Sequence, residues 1–224
     1  MNCARVAAAV VALAIGCDPG QVSMPDGGIG DAGGVPSDAG DGGHADGSAF
    51  EIEWRTAPKV PDSAGGPWRP QFELARFDLT DVRVVGDVGV LAAATVELEF
   101  SDDDKPATRF EPAAPGRYAT VLGRIAYVEI RGSLDVGGEL GGERVDFVIE
   151  DRPPPQVGLA LALGDAEVKP GETKRVRIRF DLRALVDAVD WDAVDNEDGT
   201  LELESDGPQI EAFRTALAGA IRLE

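Results

Sequence analysis

Six acidic side chains crowd one short stretch: Asp187, Asp190, Asp192, Asp195, Glu197 and Asp198, with Gly199 behind them. Calcium takes about six to eight oxygen ligands from carboxylates and carbonyls. Asp190, Asp192, Asp195 and Asp198 are therefore the candidate ligands for such an ion, with a solvated acidic loop as the alternative. The spacing departs from the EF-hand, in which acidic residues alternate and Gly takes the sixth place. A second constellation is basic. Arg175, Arg177 and Arg179 alternate with Val176, Ile178 and Phe180, so a strand would carry all three guanidiniums on one face. They form either an anion-binding row or one half of cross-strand ion pairs, with Glu97/Glu99 or Glu202/Glu204 as matching rows. Pairing is the expectation, since opposite charges across a sheet contribute roughly 0.2–1 kcal/mol each. A third chemistry is that of glycans. Paired carboxylates cleave glycosides, and Trp54, Trp68, Trp191, Tyr118 and Tyr127 are the large aromatics available to stack on sugar rings. With 35 Asp and Glu between Ala49 and Glu224, no carboxylate pair can be singled out.

What is missing narrows the field. From Ala49 onward the chain has no Cys and no His; the only His is His44. Ser-His-Asp and Cys-His nucleophile systems, and zinc sites built on His or Cys, are thereby excluded from this region. Disulfides within it are excluded too, so a hydrophobic core must hold it together. The formal charge of the whole chain is −20. Nucleic-acid binding draws its affinity from Lys and Arg meeting phosphates, so no nucleic-acid partner is expected.

The N-terminus places a single Arg5 before an unbroken apolar run, Val6–Ile15, which ends in Ala14-Ile15-Gly16-Cys17. A basic start, about ten apolar residues and small residues at the end form a secretory signal. A membrane span would need roughly 20 apolar residues. The last four residues resemble the lipobox of bacterial lipoproteins, with Leu13 one position earlier than the family's usual aliphatic residue. That resemblance implies cleavage before Cys17, a diacylglycerol on its thiol and, in most members, an acylated amine. An ordinary secretory signal with Cys17 as a free thiol is the alternative. Residues 1–16 would be the signal, and its loss removes Arg5 and leaves −21. From Asp18 to Ser48 the chain has ten Gly, six Asp, three Pro and no basic residue. Such a segment buries too little to order itself and is expected to be a disordered leash, residues 17–48 with the lipidated Cys. As a Gly-rich coil of about thirty residues it would reach roughly 30 Å. The remaining domain, 49–224, carries −15.

The elements that must position these groups read mainly as strands. Period-two alternation recurs at Phe50–Arg55, Phe72–Val85, Val96–Phe100, Ala126–Ile130, Arg144–Glu150, Val157–Leu163, Lys174–Phe180 and Thr200–Glu204. Turn residues stand between them at Pro112–Gly116, Gly137–Gly142, Pro153–Pro155 and Pro170-Gly171. Short strands with one polar face predict a mainly β, antiparallel β-sandwich. Two short helices near the C-terminus complete it: Leu182–Val189, capped by Asp181, and about Gln209–Leu223, with an apolar stripe through Ile210, Phe213, Leu217 and Ile221. Ala114-Pro115-Gly116-Arg117-Tyr118, Val128–Gly132 and Val168–Thr173 running into Phe180-Asp181-Leu182 resemble the transthyretin-like β-sandwich of certain bacterial lipoproteins of unknown function. That resemblance covers roughly residues 72–191 and implies a fold and an envelope address, without catalytic residues.

Together these features predict a lipoprotein anchored through Cys17, facing the periplasm or exterior. Its role is expected to be non-enzymatic, binding an envelope protein or glycan or serving structurally, with no cofactor beyond the calcium candidate. The alternatives are a carbohydrate-binding module or a carboxylate-dependent glycosidase.

Overall fold

Alternating apolar and polar residues form a strand only where a second layer covers the apolar face. In the computed structural model the chain supplies that layer itself. The structure describes residues 47–224 apart from 67, 102–105, 137–142, 155–156 and 195. Cys17, the leash and the turn at 137–142 lie outside the described residues. The strands are β1 (Ala49–Ala57), β2 (Asp62–Ser63), β3 (Gln71–Gly86), β4 (Gly89–Phe100), β5 (Ala107–Phe110) and β6 (Gly116–Val136). They continue as β7 (Glu143–Asp151), β8 (Gly158–Val168) and β9 (Thr173–Asp181). Helix α1 (Leu182–Asp187) and a 3-10 turn (Trp191–Ala193) precede β10 (Asn196–Glu197), β11 (Thr200–Leu203), α2 (Ile210–Ala220) and β12 (Ile221–Leu223).

Two sheets result. The smaller runs β12-β9-β1-β5. The larger runs β10-β11-β7-β6-β3-β2, with β4 also beside β3 and β8 also beside β6. Strand β6 divides one edge between two neighbours: Gly116–Arg124 pairs with β8 and Val128–Val136 with β7. The sheets meet through aromatic side chains. Phe77 of the larger sheet stacks on Phe180 of the smaller at 4.1 Å between ring centroids. Phe100 of the larger sheet lies 6.1 Å from Phe180, and Phe50 of the smaller lies 5.4 Å from Tyr118 of the larger. A mainly β sandwich with helices near the C-terminus is what the alternation predicts.

Three details differ from that prediction. Two strand pairs are parallel, β1 with β9 and β11 with β7, in a fold otherwise paired antiparallel. Helix α2 stops at Ala220 rather than Leu223, because Ile221–Leu223 pairs with Ile178–Phe180 as β12 and so buries Ile221. Helix α1 begins where expected, with Asp181 Oδ1 accepting from the Ala184 amide at 3.1 Å. It ends two residues early, at Asp187. There the Trp191 indole N–H donates to the Val186 carbonyl at 2.9 Å, which also accepts from the Val189 amide at 3.2 Å.

The chain enters the fold at Ser48. Its hydroxyl accepts from the Gly171 amide and its carbonyl accepts from the Ala113 amide. These contacts put the start of β1, the β5–β6 loop and the β8–β9 turn at one end of the sandwich. The β3–β4 hairpin tip joins them: Gly86 pairs with Tyr118, and Val88 packs on Gly116. Gly116 has φ +144°, and a Cβ there would collide with Val88 Cγ1.

Candidate functional site

The outward face of the larger sheet, towards the far end from Ser48, holds a cluster of interacting polar side chains around Tyr127. Register creates it. Arg76 stands opposite Glu99 on β4 and Glu129 on β6, and Glu129 stands opposite Glu150 on β7. In the next row, Asp78 stands between Glu97 and Tyr127. Tyr127 is the centre of the group. Its hydroxyl donates to Glu129 Oε2 at 3.2 Å. The guanidiniums of Arg76 and Arg152 lie 5.9 and 6.0 Å from its ring centroid, within reach of cation–π attraction.

Two of the carboxylates here are held by guanidiniums. Glu129 is 8% exposed, and its other oxygen takes Arg131 at 2.5 Å. Asp78 takes Arg76 at 3.4 Å. Burial pushes the Tyr127 phenol up to about 12, and the negative charges of Glu129 and Glu150 push the same way. Tyr127 is therefore a neutral hydrogen-bond donor near neutral pH, with no activation as a nucleophile. Chemically the face offers an aromatic ring, an O–H donor, three guanidiniums and several carboxylates on rigid strands. That set suits reversible binding of a polar ligand better than proton transfer.

Arg152 links this face to a neighbouring cleft of about 420 Å³, lined by Glu150, Arg152, Glu204, Ser205 and Asp206. The Arg152 amide donates to Ser205 Oγ at 3.1 Å. Helix α2 fixes the cleft's far wall through a buried ion pair. Arg214 holds Asp151, which is fully buried, at 2.7 and 3.0 Å. The same guanidinium donates to the Ser205 carbonyl at 3.0 Å and to Glu211 at 2.6 Å. These partners hold the Arg214 pKa well above its ordinary value, the hydrogen bond to Asp151 contributing most.

The structure redistributes the residues singled out by sequence. Arg175 and Arg177 do pair across strands, but with Glu51 at 2.8 Å and Glu53 at 3.0 Å on β1. Arg179 meets Glu224 at 3.3 Å. The expected partners stand elsewhere, Glu97 and Glu99 on β4 beside β3 and Glu202 on β11 beside β7. Glu53 is held below the usual carboxylate range, chiefly by its hydrogen bond from Arg177. Of the five aromatics, Trp54, Trp191 and Tyr118 are each 1% exposed core residues and offer nothing to a sugar. Only Trp68 and Tyr127 are half-buried.

Of the calcium candidates, Asp195 lies outside the described residues. Asp198 and Gly199 form the two-residue turn joining β10 to β11, with φ +51° and +87°. Positive φ at both positions marks a primed hairpin turn, for which Asp-Gly is a preferred sequence. Asp190 precedes the 3-10 turn and Asp192 lies within it. Among the described residues no three acidic side chains converge as metal ligands. Among the same residues, no helix is long and apolar enough to cross a membrane. Arg76, Glu129, Glu150 and Arg152 had no sequence signal as a group, because only register brings them together. No family model matches the chain, and no curated protein or solved structure matches it either.

Proposed function

We propose that this protein is a lipoprotein of the cell envelope, anchored through Cys17 and presenting its sandwich for non-covalent binding or as a structural element. The observation that carries the proposal is Ala14-Ile15-Gly16-Cys17 directly after the apolar run Val6–Ile15. The layout of the fold is in keeping with it. The chain enters at Ser48, beside Gly116, and Tyr127 stands eleven residues further along β6. At about 3.3 Å per residue that is roughly 35 Å from the entry end, so Tyr127 lies well away from an anchor at that end. The transthyretin-like resemblance belongs to the same proposal and adds an envelope address. Intact mass and detergent partitioning of the mature protein test the anchor. Wild type should carry acyl mass and enter the detergent phase, and Cys17→Ser should do neither. Wild type without lipid mass in the aqueous phase would overturn the proposal.

One observation favours glycans among the polar ligands: Tyr127 is a half-buried aromatic ring flanked by donors and acceptors on strands. A glycan array probed with wild type and Tyr127→Ala tests this. Binding lost in the variant supports it, and a blank array removes both the carbohydrate module and the glycosidase. Calcium is tested by melting the domain with and without chelator; an unchanged midpoint removes it.

A further inference from the structure

The other half of the same sheet face has the opposite character. Near the Ser48 end, two outward rows cross β4, β3, β6 and β8. One contains Val90, Val85, Thr120 and Ala162, and the next contains Ala92, Arg83, Leu122 and Ala160. Arg83 is the only ionisable residue in either row. Val90 is 58% exposed and Leu122 38%, and Val88 at the hairpin tip is 39% exposed. These are three of the four large apolar side chains exposed among the described residues. Apolar side chains gathered on one face, rather than scattered singly, are what a contact surface requires.

We infer that this face rests on the surface of the lipid bilayer that holds the Cys17 anchor, an inference that depends on the lipoprotein proposal above. The point of entry selects the occupant. The leash joins the fold at Ser48, at the same end as Val88 and Val90. The two rows lie within about 20 Å of that end along the strands, and the two sheets are about 10 Å apart. A Gly-rich coil of about thirty residues would reach roughly 30 Å, more than either distance. The anchor thereby holds the face at a millimolar effective concentration of membrane, so a few valines and a leucine suffice where they would not hold an untethered domain. A second copy of the chain fits less well. It would bring two bodies of charge −15 together and set Arg83 against Arg83. The same negative charge gains nothing from anionic headgroups, so the surface is a zwitterionic one.

The test uses the lipidated full-length mature chain on phosphatidylcholine vesicles. The domain has no Cys of its own and Cys17 would be blocked by lipid, so Val90→Cys, Leu122→Cys and Thr215→Cys can each carry one polarity-sensitive dye. Emission at 90 and 122 should shift to the blue on vesicles while emission at 215 stays unchanged, and adding Leu122→Asp to the Val90→Cys protein should abolish its shift. Lipid mass on Cys17 with water-like emission at 90 overturns this inference alone. Absence of lipid on Cys17 overturns it together with the lipoprotein proposal. A blue shift without vesicles that grows with protein concentration assigns the face to a second copy and also overturns it.

Discussion

Replacing Arg214 with Ala should be among the most damaging single changes away from the aromatic core. Asp151 is fully buried at the inward end of β7, and both of its oxygens take their hydrogen bonds from Arg214, at 2.7 and 3.0 Å. Arg214 itself is 14% exposed. Removing one partner of a buried pair leaves the other charge uncompensated, which costs about 3–5 kcal/mol. For a domain of this size each kcal/mol lowers Tm by roughly 2–4 °C, so the melting point should fall by about 6–20 °C. Urea titration at pH 7 measures the loss, and the double variant Asp151→Leu/Arg214→Met should recover much of it. A deficit below about 1 kcal/mol would refute the reasoning, since an exposed pair is worth only that much.

Three further outcomes follow from other contacts. Tyr127 keeps its proton to about 12 when folded and to about 10 when unfolded, so the stability it contributes is complete below pH 10 and is lost as pH rises through 12. Absorbance at 295 nm reports that ionisation, and Glu129→Gln should move it to lower pH. Trp191→Ala removes a side chain packed on Phe147 and an indole bond to Val186, and should cost about 3–5 kcal/mol in urea. Glu53→Ala breaks the pair with Arg177 on an exposed face, where the loss should stay under about 1 kcal/mol and shrink further in high salt.

The strands were legible because their alternation is local: each needs only one buried face, whatever covers it. Asp181 was legible as a cap for the same reason, since its acceptor reaches an amide three residues on. Partners across the sheet are not local. Arg175, Arg177 and Arg179 gave their own orientation but could not name Glu51 and Glu53, because β1 and β9 are separated by most of the domain and pair in parallel. Leu223 reads as helical in sequence because Ile221-Arg222-Leu223 satisfies the helical stripe and a strand alternation alike, and only pairing with the edge of β9 decides between them. The Asp-Gly at 198–199 carried a hairpin signal that the surrounding acids obscured. The Tyr127 group needed four strands in register before it existed at all.

Strand β1 enters from the N-terminal segment and lies between β9 and β5, in register with β9 over nine consecutive residues from Ala49 to Ala57. Because it is an inner strand of its sheet, a pull on that segment along the strand axis acts across the ladder. The hydrogen bonds lie at a steep angle to such a pull and must yield together rather than one after another. The domain would thus resist tension applied through its N-terminus far better than an equal force peeling β12 from the sheet's edge. Mechanically, the attachment is a shear joint.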